Sequence, residues 1–297
     1  MSQAIDASVV GADAAAPPVR SIRARRVDLA YPSGLPRHFV QGDIGMSHVV
    51  AMLSAVFPEG EDFFVRTVRN HRSDIDDPVL KGAVAGFIGQ EAMHGREHRT
   101  FNDALARLGY PTRFIDGLTG RGLRFAERIL PTKVQLAITA ALEHYTASLA
   151  ELLLESPDAR ELLDIPEVRS LFLWHALEES EHKAVAFDVY RHAGGSERVR
   201  RWVMDATTVG FLVGVLAAVL LSVLLDREAR RHPFATGRSL WALRRSPWLT
   251  RAMAGRIRAY NRVGFHPDDF DNAELTERWR VELFGPGAVL AGSAVAS

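Results

Sequence analysis

WHALEESEHKAVAFD, residues 174–188, sets two histidines and four acids into what otherwise reads as the interior of a helix. The helical stripe through it is Val168, Phe172, His175, Glu179, His182, Ala186 and Val189, starting after Pro166. Ionisable groups occupy the apolar seam itself, at helical spacings of three and four. A buried unpaired charge costs several kcal/mol, so a stripe of this kind needs something that neutralises it.

The pattern recurs upstream. Asp77-Pro78 caps a long helix with proline at its first position. Its stripe is Leu80, Val84, Phe87, Glu91, His94, His98, Asn102, Leu105 and Leu108, closed by Gly109. A helix from about Pro131 to Glu155 is apolar on most sides, as a central helix is, and carries Glu143 on a face with Leu136, Ala140, Ala147 and Ala150. An earlier helix runs from Ser47 to Phe57, is interrupted at Pro58-Glu59-Gly60, and resumes through Glu61, Phe64, Val65 and Val68. Strand signals are nearly absent.

In chain order the inward groups are Glu61, Glu91-x-x-His94, Glu143 and Glu179-x-x-His182. One Glu from each of two helices and one Glu-x-x-His from each of two others is the ligand set of a di-iron or di-manganese four-helix bundle. Residues three apart share a helix face, so a carboxylate and an imidazole close on one ion, and four carboxylates balance two divalent cations. Carboxylate and imidazole donors suit iron or manganese, with zinc also compatible. Glu61 is the weakest member, one residue past the break: it also reads as a helix-start carboxylate facing the macrodipole, with Glu59 as the substitute. Glu178 and Glu181 read as outer-shell or solvated groups, His144 as a hydrogen-bonded structural residue, and His48, His71 and His232 as surface residues.

FPEGEDFFVRTVRNH, FIGQEAMHGREHRTFN, ALEHYTA, WHALEESEHKAVAFDVY and the late GFHPDDFD resemble a bacterial family of predicted metal-dependent hydrolases, over roughly residues 21 to 284. The ligand order resembles the ferritin-like di-iron superfamily. His175-x-x-x-Glu179-x-x-His182 is similar to the last-helix motif of di-iron arylamine N-oxygenases, where the first histidine is an extra iron ligand. That resemblance makes His175 a seventh donor, on the same ion as His182. His98, one turn past His94, is a possible additional ligand outside that pattern.

Composition narrows the chemistry. The 297 residues carry 36 bases and 36 acids, so no global charge points to nucleic acid. Without cysteine there is no thiolate site, iron–sulfur cluster or disulfide, so any metal is held by His and carboxylates. Residues 1–20, rich in small residues, and 285–297 read as disordered tails, with no secretory signal.

Residues 206–225, ATTVGFLVGVLAAVLLSVLL, run twenty positions without a charge, long enough to cross a bilayer. Ten arginines against two acids follow over 226–264, with Trp241 and Trp248 interleaved, which opposes translocation and suits an anionic lipid surface. A span, a re-entrant or interfacial insertion, and a helix buried against the bundle or a second subunit all fit.

These readings give an all-α, ferritin-like four-helix bundle over 21–195, with a hydrophobic helix and an Arg/Trp-rich helical extension over 196–284. The expected protein is cytoplasmic and membrane-associated through 206–264, with a homodimer as one possible state. It holds two transition-metal ions and acts on an apolar or lipid-like substrate. The favoured chemistry is oxygen-dependent oxidation (hydroxylation, desaturation or N-oxygenation), which requires an electron donor. The alternative is hydrolysis through a metal-activated water, and a third reading is non-catalytic metal binding or iron handling.

Overall fold

The computed structural model describes residues 22–32 and 34–292; the expected tail at 1–20 and positions 293–297 lie outside the described residues. The chain is all-α, with no strand among the described residues. Its helices are α1 (Ile44–Arg69), α2 (Pro78–Arg107), α3 (Thr112–Ile129), α4 (Thr132–Glu155), α5 (Pro157–Glu161) and α6 (Pro166–His182). They continue as α7 (Val185–His192), α8 (Glu197–Leu225), α9 (Arg227–Arg231), α10 (Pro233–Ala242), α11 (Arg251–Ala259) and α12 (Ala273–Phe284).

The first helix departs from expectation: α1 runs unbroken through Pro58. Proline removes the N–H that would reach the carbonyl one turn back, at Ser54. Asn102 of α2 supplies the missing donor, its Nδ2 lying 2.9 Å from the Ser54 carbonyl, while its Oδ1 accepts the Ser54 hydroxyl at 2.8 Å. With that carbonyl satisfied the helix continues, so Glu61 lies deep within α1 and not at a helix start. Glu59 points elsewhere, paired with Arg124 of α3 at 3.0 Å.

The other boundaries follow local chemistry. Asp77 caps α2 by accepting the Val79 N–H at 2.9 Å, with Pro78 at the first helical position. The fourth core helix was expected to carry its stripe on to Val189, but α6 ends at His182 and α7 restarts at Val185. At the turn the Lys183 ammonium lies 3.0 Å from Glu151 of α4 and also meets the Phe270 carbonyl.

Helices α1, α2, α4 and α6 form the bundle, α1 packing chiefly on α2 and α4 on α6. Its interior divides into two apolar clusters. One includes Met52, Phe101, Leu105, Leu154, Leu171 and Trp174; the other includes Phe63, Phe64, Phe87, Leu136, Ala186 and Val189. Along α1 and α2 the ionisable groups fall between the two clusters, and after His182 the chain passes from the first cluster, on α6, to the second, on α7. The segment 196–284 is not a separate layer: Val219, Val223 and Trp279 join the first cluster, and Val203, Tyr260 and Phe265 the second. Within the expected tail at 285–297, Leu290 is buried and its N–H donates to the Leu283 carbonyl at 3.0 Å.

Helix α8 is long and apolar enough to cross a membrane. It packs along α1 and α4. Its C-terminal end is fixed by Asp226, which accepts from Arg37 Nε at 3.0 Å and lies 3.1 Å from both His38 Nε2 and His48 Nε2. His48 is therefore buried at an anchor, and His71 is buried too, where surface positions were expected; His232 is exposed. Burial pushes the His48 imidazole down to about 4 despite the Asp226 carboxylate beside it.

Asn102→Leu should destabilise the protein by about 1–3 kcal/mol in denaturant unfolding, because a buried carbonyl and a buried hydroxyl both lose their partner. Pro58→Ala supplies a backbone N–H to the Ser54 carbonyl, so the same Asn102 substitution should cost less in that background. Equal cost in both backgrounds would show that Asn102 does not substitute for the proline's missing donor.

Candidate metal centre

Donors come from mid-length in α2 and α4, from the second half of α1 and from the last turn of α6, and Glu61, Glu91, His94, Glu143, Glu179 and His182 are all buried to 2% exposure or less. The closest approaches centre on His182 of α6. Its Nε2 lies 3.0 Å from Glu91 Oε1, 3.3 Å from Glu143 Oε2 and 3.5 Å from Glu179 Oε2. His94 Nδ1 lies 3.6 Å from Glu179 Oε1 and 3.9 Å from Glu91 Oε2. His175 Nε2 is 2.9 Å from Glu179 Oε1 and 3.7 Å from Glu61 Oε1. Gly95 makes room for this: a Cβ there would stand 3.3 Å from Glu61 Oε2.

Of these contacts only His175 Nε2 to Glu179 Oε1 is a hydrogen bond. Both carboxylate oxygens of Glu61, Glu91 and Glu143, Glu179 Oε2, His94 Nδ1 and His182 Nε2 are all buried without a hydrogen-bond partner. Buried polar atoms almost always have one. Orphaned lone pairs converging on common points are what a cation would satisfy. Three overlapping sets have donor atoms within 4.8 Å of one another: Glu61, His94 and His175; Glu91, His94 and Glu179; and Glu91, Glu143 and His182. The donors thus fit two ions. His175 falls with Glu61 and His94, away from the set that contains His182, and α6 presents the two histidines to different oxygens of the Glu179 carboxylate.

The imidazoles are oriented from behind, as metal-ligating histidines are. Gln90 Nε2 donates to Glu181 Oε2 at 2.9 Å, which leaves Gln90 Oε1 to accept from His182 Nδ1 at 2.9 Å. The His182 Nε2 lone pair then faces the carboxylates. His94 Nε2 lies 3.2 Å from Glu178 Oε2, leaving Nδ1 for the centre. For His175 the tautomer follows from a chain. Asn102 Oδ1 takes the Ser54 hydroxyl hydrogen, so Ser54 Oγ accepts from His98 Nδ1 at 2.9 Å. His98 Nε2 then accepts from His175 Nδ1 at 2.7 Å, which turns His175 Nε2 inward onto Glu179 Oε1, 2.9 Å away. Both His98 nitrogens are engaged in this chain, which puts His98 one step outside the donor set.

Electrostatics match a site that lacks positive charge. Burial, and then the carboxylates of Glu91 and Glu179, push Glu61 well above the ordinary range. Burial, Glu143 and Glu179 do the same to Glu91. Glu143 is raised to about 7 by burial and by Glu179. Burial also works to raise Glu179, but His182 and His175 around it outweigh burial and hold it well below. Outside this ring, burial takes Glu178 up to about 8 although Arg25 Nη1 sits 2.9 Å away.

Several supporting residues escaped the sequence reading. Gln90 sits beside Glu91 but off the stripe, and Arg25 lies in a non-helical segment with no periodicity to mark it. Arg25 pairs with both Glu178 and Glu181 at 2.8–2.9 Å, so neither acid is solvated. His144 donates to or accepts nothing in the centre; its Nε2 meets the Arg256 carbonyl at 2.9 Å. His38, His48 and Asp226 form another cluster of metal-binding residue types, but Arg37 lies 3.0 Å from that carboxylate and supplies its positive charge.

The profile of a family described as predicted metal-dependent hydrolase matches residues 23–271. The chain belongs to that family. No curated protein and no solved structure matches it. The family span takes in all four core helices, α8, and the loop that ends at Asp271, so the α8 region belongs to the family's common body.

Metal analysis should find about two ions per chain, the number this donor pattern serves, with Glu91→Ala or His182→Ala each losing at least one. Chelation should expose a pH dependence. Glu143 with a raised pKa favours the folded metal-free form most at pH values below its unfolded pKa, and that contribution is lost as pH rises through about 7. The chelated protein should therefore lose thermal stability between about pH 4.5 and about pH 7, while the metal-loaded protein should not. A chelated protein that is more stable at the higher pH would contradict this charge balance.

Proposed function

We propose that this chain is a two-metal enzyme that hydrolyses an apolar substrate. The observation that carries the reading is the set of orphaned buried donors, two of which, Glu61 and Glu179, line a cavity of about 490 Å³. That volume is in the range of small-molecule sites, roughly 300–1,000 Å³. Glu61, Glu91, His94, His175 and Glu179 would hold one ion, and Glu91, Glu143, Glu179 and His182 the other. Bound ions of this kind lower the pKa of a water and polarise a carbonyl or phosphoryl oxygen. The family's description supports hydrolysis over other metal chemistry.

The chain's own residues account for binding. Val56, Phe57, Phe64, Leu123, Ile138 and Phe211 give the cavity an apolar wall. An apolar chain would fill it and exclude bulk water, which strengthens charge interactions at the inner end. Glu61 and Glu179 are the only acidic side chains in the lining, so the reacting polar group of a substrate would meet the centre there.

One observation favours a second reading, oxygen-dependent oxidation. Among the described residues no basic or amide side chain lines the cavity to recognise a polar substrate group, so an unactivated hydrocarbon also fits. An electron donor would then be required.

The two are separated by loading the protein with zinc, manganese or ferrous iron. Hydrolysis predicts cleavage of nitrophenyl esters with zinc or manganese, faster for longer acyl chains and lost in Glu179→Ala. Ferrous protein that consumes oxygen, with no esterase activity under any metal, would transfer the assignment to oxidation. Metal binding with neither activity would leave a metal-handling role.

A further inference from the structure

Two exposed apolar stripes flank the cavity. On α3, Phe114, Leu118, Phe125 and Ile129 are 50–60% exposed at spacings that share one helix face. On α8, Trp202, Val209, Val213, Leu216, Leu220 and Leu224 form a second face, 45–68% exposed. The opposite face of α8, with Val203, Met204, Ala218, Val219 and Val223, is buried. Helix α8 therefore cannot leave the bundle to cross a bilayer without opening both apolar clusters. Its outer face can still enter one.

The cavity opens along this face. Exposed residues of α8, namely Trp202, Ala206, Gly210 and Gly214, line it together with Thr119 and Leu123 of α3 and Leu130 just past its end. A Cβ at Gly210 or Gly214 would meet nothing within 4 Å, so open space lies beside the helix there. The inner end of the same cavity is Glu61 and Glu179. The apolar surface is framed by cations: Arg198 and Arg201 precede the α8 stripe, Arg227, Arg230 and Arg231 follow it, and Arg121 and Arg128 stand on α3, all exposed. Large exposed apolar area bordered by arginine is the chemistry of an anionic lipid surface.

We propose that α3 and α8 lie in an anionic bilayer leaflet as a portal, and that the substrate is a long-chain lipid whose acyl chain passes between them along the cavity to Glu61 and Glu179. The proposal rests on the enzyme reading above for what happens at the inner end. Entry by this route keeps the chain out of water from the leaflet to the metal centre. It also gives the exposed faces of α3 and α8 a partner in a chain whose formal charge is zero.

The test uses the full chain, metal-loaded, with vesicles of phosphatidylglycerol and phosphatidylcholine. The protein should sediment with them, and more weakly with phosphatidylcholine alone. Phospholipids brominated at mid-chain should quench its tryptophan fluorescence, and Trp202→Phe should remove most of that quenching. Phe125→Asp with Leu216→Asp should weaken vesicle binding by about tenfold or more. Gly210→Phe, which enters open space, should keep vesicle binding and metal content but reduce uptake of a fluorescent fatty acid by about tenfold. Wild-type uptake in Gly210→Phe would overturn the portal. So would a protein that ignores vesicles, or one that forms a dimer abolished by Phe125→Asp, since a second copy would then cover this face. Metal content is read separately in every variant, so a chain that takes up lipid but binds no metal would sink the enzyme reading and leave the portal standing.

Discussion

Four carboxylates share a buried volume with three inward-facing imidazoles, and the rest of the molecule is arranged around that charge. Ionised, the acids repel one another; protonated, they leave buried oxygens without partners. Divalent cations resolve both problems at once. The two apolar clusters lie on either side of the donors along α1 and α2 and across the α6–α7 junction, so packing holds the donors together from both ends. Packing alone would not aim them, and each imidazole is instead held by a different acceptor behind it: Glu178, Gln90 or His98.

Asn102 links two parts of this arrangement that look unrelated in sequence. Its amide nitrogen satisfies the carbonyl that Pro58 leaves open, which keeps α1 helical up to Glu61. Its amide oxygen starts the chain through Ser54 and His98 that sets the His175 tautomer. Glu61 and His175 belong to the same donor set. One side chain therefore fixes both the helix geometry and the imidazole orientation of that set. A second ring of charge stabilises the outside: Glu181 accepts from Arg25, Gln90 and Arg280, so the acids next to the centre are neutralised by cations and not by bulk water.

The bundle and the donor order were legible because both are local, periodic signals. Glu91, His94, Glu179 and His182 stand on helical stripes, and spacing alone puts each pair on one face. What stayed hidden depends on contacts between helices. The passage of α1 through Pro58 requires Asn102, forty-four residues away in sequence, to meet Ser54. The division of His175 and His182 between two donor sets depends on where Glu61 and Glu143 arrive from α1 and α4, which no spacing within α6 reveals. His48 read as a surface residue because its partners, Ser222 and Asp226, lie at the far end of another helix. Helix α3 went unrecognised although Phe114, Leu118, Phe125 and Ile129 recur at helical spacing; it carries none of the inward Glu and His residues by which the other helices were traced.

The two donor sets are not equivalent, and the difference gives the centre a direction. Glu61 and Glu179 reach the cavity, whereas Glu91, Glu143 and His182 do not line it. The latter side is closed by Phe87, whose ring packs edge-on to His182 with centroids 4.9 Å apart. Phe57 lines the cavity and packs edge-on to both His175 and His98, at 5.0 and 4.8 Å. The additional imidazole therefore lies on the side that a substrate can approach. A neutral donor there adds a ligand without adding negative charge, while Glu179, held ionised by its histidines, is common to both sides. Access is confined to the side that carries the extra imidazole, while packing of Phe87 on His182 closes the other. Of the two donor sets, one is thus shut in by the core and the other faces whatever fills the apolar cavity.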